Sequence, residues 1–153
     1  MENNKPVEMT QVKSQGGKFR WVAVSALLLA IGAIMRLVSP SFAGVSINWI
    51  ITMYCITILV IHPSVPKAVA IGLVAGAINT ITSKSPMPHL NMVSEPIGAL
   101  TCVLLMGLPF ALKVGGVSLR PGVITFITTF ASGFTFITSF KMLMNIPLQI
   151  YLY

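Results

Sequence analysis

A chain of 153 residues that is 55% hydrophobic and only 8% charged cannot clothe a soluble domain in polar surface, so the sequence describes an integral membrane protein. Its length accommodates one bundle of spanning helices and leaves no room for a soluble catalytic domain. The formal net charge of +7 comes from basic residues flanking apolar runs, and without a repeated basic and aromatic pattern it is no argument for a nucleic-acid partner.

Residues 1–18 are polar, with Lys5, Lys13, Gly16 and Gly17, and are expected to form a disordered tail ahead of a helical bundle over 19–153. The first apolar run, 19–38, is long enough at about 1.5 Å per residue to cross a hydrocarbon core of about 30 Å. A cleavable signal peptide competes with this reading at Ser41-Phe42-Ala43, but the long tail, the length of the run and the apolar segments that follow favour a retained span. Pro40 and Gly44 mark 39–46 as a loop. The second span, 47–62, opens on Asn48 and an interfacial Trp49 and closes at His62-Pro63, because the residue before a proline tends to leave the helix. A turn over 63–67 leads to the third span, 67–82. These spans are short, and flanking turns or local bilayer thinning would complete them.

A polar, proline-rich loop occupies 83–95 and holds Lys84, His89, Asn91 and Glu95. The fourth span is expected over 96–112 with Pro96 in its first turn, and a glycine-containing turn over 113–121 leads to the fifth, 122–140. After Lys141 the remaining MLMNIPLQIYLY, with Pro147, is too short for another crossing. The expected fold class is therefore all-α, a polytopic transmembrane bundle of about five spans.

A cytoplasmic amino terminus places Lys5, Lys13, Lys18, Arg20, Lys67, Lys113 and Arg120 inside and only Arg36, Lys84 and Lys141 outside, in keeping with the positive-inside rule. A multi-pass protein of the cell membrane, with the 83–95 loop facing outward, is the resulting expectation.

Several chemistries are excluded. The chain has no Asp, and its three acids are Glu2, Glu8 and Glu95, so a proton relay of buried carboxylates has no members to build it. There is no glycine-rich phosphate loop with Lys and Ser or Thr, so ATP-driven transport would need a partner. His62 and His89 are isolated, and Cys55 and Cys102 fall within spans, which argues for structural roles and against a metal site, a disulfide or a cofactor. An enzyme is not expected.

Small residues mark close helix approach. Ala68, Gly72, Gly76 and Asn79 form one stripe on the third span. Ala26 and Ala30, one turn apart on the first, serve either internal packing or a partner-docking face. On the fifth, Thr125, Thr128, Ser132, Thr135 and Ser139 recur on one face and Phe126, Phe130 and Phe134 on the other, so hydroxyls are expected inward and phenyl rings outward.

Taken in order, the ALLLAIGA of the first span, the GLVAG of the third, the proline-containing outer loop, and Asn91 followed by Glu95-Pro96 carry a resemblance. From Trp21 to Leu112 the sequence resembles the substrate-binding S components of energy-coupling factor importers, and among these the bacterial tryptophan transporter family. The resemblance implies a small helical bundle that captures a vitamin-like or amino-acid substrate outside. It also implies docking, through Ala26 and Ala30, onto a transmembrane coupling subunit with two cytoplasmic ATPases. Two departures stand out. The family has six spans, so either the chain is truncated or the bundle is shortened, and Ser94-Glu95 stands where the family has an acidic and then a basic residue.

A zwitterionic aromatic substrate, with tryptophan expected, needs a cation for its carboxylate, an acceptor for its ammonium and a flat apolar surface for its ring. Arg36 or Lys84 would meet the carboxylate, Glu95 with Asn91 the ammonium, and Trp49, Phe42 or His89 the ring, with Asn48 and Asn79 as further polar contacts. Against this, Arg36 and Lys84 also suit snorkelling, Trp49 an interfacial anchor and Glu95 a helix-starting position. A small structural or assembly subunit of a membrane complex is the competing function.

Overall fold

The computed structural model describes residues 17, 19–40, 47–109, 113–114 and 117–144. Five helices make up the bundle: α1 (Arg20–Val38), α2 (Trp49–Ile61), α3 (Val65–Thr82), α4 (Asn91–Gly107) and α5 (Arg120–Met144). A 3-10 turn, Pro88–Leu90, precedes α4, and a two-residue antiparallel ladder, β1 (Lys113–Val114) with β2 (Val117–Ser118), replaces the plain turn expected before α5. The loop carrying Phe42, the tail before Gly17 and the segment after Met144 lie outside the described residues.

Helix ends follow local chemistry. α2 stops at His62, which adopts the left-handed conformation (φ 51°) and returns its N–H to the Ile58 carbonyl at 3.0 Å, just ahead of Pro63. α3 begins two residues earlier than expected because Pro66 fits its first turn, where the missing N–H costs nothing. α4 differs more. It starts at Asn91 and carries Pro96 in its interior, since Pro88 opens the 3-10 turn and that turn runs directly into the helix. Near the start of a helix, Pro96 forfeits only the bond it would have given to the carbonyl four residues back.

Four helical segments, Arg20–Val38, Val65–Thr82, Pro88–Gly107 and Arg120–Met144, are long and apolar enough to cross a membrane. α2 is apolar but has 13 residues, about 20 Å of helix, so it falls short of the hydrocarbon thickness that the expected span required. It lies centrally and touches the other four helices, burying Ile50, Tyr54, Cys55 and Ile58.

The small-residue stripe of α3 is an interface, as its spacing implies. Ala68, Gly72, Gly76 and Asn79 are all buried, and a Cβ added at Gly72 would lie 2.7 Å from Pro96 Cα, and one at Gly76 2.6 Å from the Asn91 carbonyl oxygen. Backbone meets backbone there, which only glycine permits. On α5, Thr128 and Ser132 are buried while Phe126, Phe130 and Phe134 point away from the bundle, the arrangement expected of a lipid-facing aromatic stripe. Cys55 and Cys102 are free thiols in the core.

Candidate functional site

The carboxyl-terminal ends of α1 and α3, the beginnings of α2 and α4, and the second half of α5 meet around a cavity of about 590 Å3. It lies at the end of the bundle remote from Trp21 and Lys67, where the Lys67 ammonium stands 5.7 Å over the indole ring.

The five members of a polar network at the cavity each arrive from a different helix or its edge. Arg36 sits on the inward stripe of α1, in register with buried Ser25, Leu29 and Gly32. Asn48 is the residue before α2, Asn79 occupies the last inward position of the α3 stripe, Glu95 lies on the α4 face that packs on α3, and Ser132 comes from α5. Together they form a hydrogen-bonded network. Arg36 Nη1 donates to Asn48 Oδ1 at 2.9 Å and to Asn79 Oδ1. The Nδ2 groups of the same two asparagines both donate to Glu95 Oε1, that of Asn48 at 2.8 Å. Ser132 Oγ donates to Glu95 Oε2 at 3.2 Å. Tyr54 stands beside the same carboxylate, with its buried hydroxyl in no hydrogen bond of standard geometry.

The network answers a problem set by burial. Glu95 is 1% exposed, and a carboxylate removed from water is tolerable only when donors surround it. Two amide N–H groups and a serine hydroxyl do this. Among the described residues no direct ion pair joins Arg36 to Glu95, and the two asparagines bridge them, each with its acceptor toward the cation and its donor toward the anion.

Of the residues singled out from the sequence, Arg36, Asn48, Lys84, Asn91 and Glu95 line the cavity. Asn79 is fully buried behind that wall and joins it through its hydrogen bonds. Asn91 is held by a bond from its Nδ2 to the Pro88 carbonyl at 2.7 Å. Glu95 is not a helix-starting residue, since α4 begins four positions earlier. Trp49 and His89 do not line the cavity: Trp49 Nε1 donates to Ser39 Oγ at 2.7 Å, tying the end of α1 to the start of α2, and His89 is exposed on the 3-10 turn. Phe42 lies outside the described residues. The apolar part of the wall comes instead from Ile47, Ile51, Phe136 and Ile137. The signal for Phe136 was its place one turn beyond Ser132 on the hydroxyl face, opposite the three outward phenyl rings. Tyr54 gave none, because an aromatic in an apolar helix reads as core.

Ala26 and Ala30 are exposed on α1, and Ala26 lies with Ser25 and Leu29 along a small apolar groove shared with Ala70, Ile71 and Val74 of α3.

Among the described residues, a multi-pass helical bundle with a ligand-sized cavity bordered by buried polar side chains suits the class of small-molecule membrane transport proteins. The family model "Tryptophan transporter TrpP" matches residues 18–152, and the chain belongs to that family. It is similar to a "Probable tryptophan transport protein" of Bacillus subtilis (strain 168), with 27% identity over 132 residues, covering 85% of this chain and 74% of that one. No solved structure matches the chain.

Proposed function

We propose that this protein is the membrane-embedded substrate-binding subunit of an ATP-driven importer and captures tryptophan from the outer side. The observation that carries the reading is the cavity itself, about 590 Å3 and lined by one fixed guanidinium, asparagine side chains and apolar surface. Small-molecule sites occupy about 300–1,000 Å3, mostly apolar with a few placed polar groups, and this cavity fits that description. The membership in a tryptophan transporter family and the name of the Bacillus relative support tryptophan as the ligand. Outward capture is supported by charge, since Arg20, Lys67 and Arg120 are on the side that the positive-inside rule assigns to the cytoplasm. The site is proposed to comprise Arg36, Asn48, Asn79, Lys84, Asn91 and Glu95, and no catalytic group is assigned.

Uptake by such a subunit requires a coupling membrane protein and cytoplasmic ATPases, and the exposed Ala26–Ala30 face of α1 is the proposed docking surface. The test is isothermal titration of the purified protein with L-tryptophan, paired with uptake in cells expressing it with and without a coupling subunit and its ATPases. Micromolar or tighter binding, with uptake only in the complete system, is the expected result. Uptake by the chain alone in proteoliposomes would remove the ATP-driven reading, and absence of tryptophan binding would remove the substrate.

A further inference from the structure

Sequence alone suggests that Glu95 accepts from the ligand's ammonium, but the geometry divides the work differently. The Glu95 carboxylate has both oxygens occupied: Asn48 and Asn79 on Oε1 and Ser132 on Oε2, with the unpartnered Tyr54 hydroxyl at its side. A carboxylate offers about four lone-pair positions, and three of them are taken by these donors, with the Tyr54 hydroxyl beside the remainder. Arg36 is the opposite case. Its Nη1 holds both asparagine carbonyls, its Nε is covered and unpartnered, and Nη2 has no hydrogen bond among the described residues. Nε and Nη2 form one edge of the guanidinium, the edge that takes a carboxylate by two parallel bonds. Lys84 adds a second positive charge to the same cavity, against the one charge of Glu95.

Resting on the tryptophan-binding reading above, we propose that the cavity anchors its ligand by the carboxylate on the free edge of Arg36, and that Glu95 is a positioning residue. Glu95 requires the donor side of both amides, which turns both Oδ1 atoms toward Nη1 and fixes the guanidinium plane. The ammonium is then met by a neutral acceptor. Asn91 provides one, because its Nδ2 is committed to the Pro88 carbonyl and its Oδ1 remains available on the cavity wall. The substrate class is therefore the indolyl-alkanoate, with the α-amino group a secondary determinant.

The test is calorimetric titration of the intact protein with L-tryptophan, indole-3-propionate, which lacks the amino group, and tryptamine, which lacks the carboxylate. A lost bond from an ammonium to a neutral acceptor is charge-assisted and costs about tenfold to a hundredfold in affinity, and a lost bidentate contact between two charged groups costs more. Indole-3-propionate is expected within about a hundredfold of tryptophan, and tryptamine weaker than indole-3-propionate by at least about tenfold. Glu95→Gln is then expected to weaken tryptophan and indole-3-propionate by the same factor, a constant ratio that a direct ammonium partner would not leave. Tryptamine binding as tightly as indole-3-propionate overturns the proposal while leaving a tryptophan site in place. So does a Glu95→Gln variant that loses affinity for tryptophan alone. If Glu95→Gln does not fold, the three-ligand series on the unaltered protein decides. If tryptophan itself does not bind, the substrate reading fails, and this proposal with it.

Discussion

Gly76→Ala joins fold and site in one perturbation. The added Cβ would lie 2.6 Å from the Asn91 carbonyl oxygen and 3.1 Å from Met92 Cα, both backbone atoms of α4, whereas an ordinary contact begins at 3.4 Å. Neither neighbour is a flexible side-chain end, so α3 and α4 must separate by roughly 0.8 Å at this level. Overpacking of this kind costs about 1–3 kcal/mol. Asn79 lies one turn further along the same face and donates to Glu95 across that interface, so the same displacement stretches a bond to a charged group, worth about 1.5–3 kcal/mol when lost entirely. Thermal unfolding of the purified variant and tryptophan titration at a temperature where it is still folded read the two effects separately. Gly122→Ala is the control, since nothing lies within 4 Å of the place its methyl group would take, and removing a helical glycine is expected to be neutral or to stabilise by about 0.5–1 kcal/mol. A Gly76→Ala protein as stable as Gly122→Ala, with unchanged affinity, would refute the close α3–α4 approach and the link from it to the site.

Ala26→Trp with Ala30→Trp should abolish uptake and leave tryptophan binding to the isolated chain unchanged, because both residues are exposed on α1 away from the cavity; preserved uptake would mean that docking uses another surface. Arg36→Gln should weaken tryptophan binding by more than about 3 kcal/mol, whereas Lys84→Ala, removing an exposed charge, should cost less than about 1 kcal/mol and lose its effect in high salt; titrations at two ionic strengths check both, and equal effects would place the carboxylate on Lys84. Met87→Cys should react with an impermeant maleimide in intact cells and Lys67→Cys only after permeabilisation, and the reverse pattern would invert the orientation.

The helices were legible because apolar runs bounded by Pro, Gly and basic residues leave little choice in a membrane. The start of α4 was not, because Pro88 and Pro96 are both suited to a first turn and only the packing of Asn91 and Pro96 against Gly76 and Gly72 decides between them. Site membership was legible in part for a simple energetic reason. Arg36, Asn79 and Glu95 are polar groups in or beside apolar segments, and such groups are retained only where partners repay their burial. Their pairing was not legible, since the partners come from separate helices and no local spacing encodes which amide meets which acid. The aromatic wall was misread for the opposite reason: Trp49 and His89 satisfied a chemical requirement in composition, while their positions are set by the Ser39 bond and by the exposed 3-10 turn.

The amide bridge also explains why a single buried acid can be held in this bundle without cancelling its cation. A direct Arg36–Glu95 pair would satisfy both charges and occupy the guanidinium edge that an anionic ligand needs. Interposing Asn48 and Asn79 separates the two requirements: each amide gives a donor to the carboxylate and an acceptor to Nη1, so Glu95 is satisfied by neutral groups and Arg36 keeps one edge unused. The same arrangement places the cost of substituting either asparagine on both ends at once, with Glu95 losing a donor and Arg36 an acceptor.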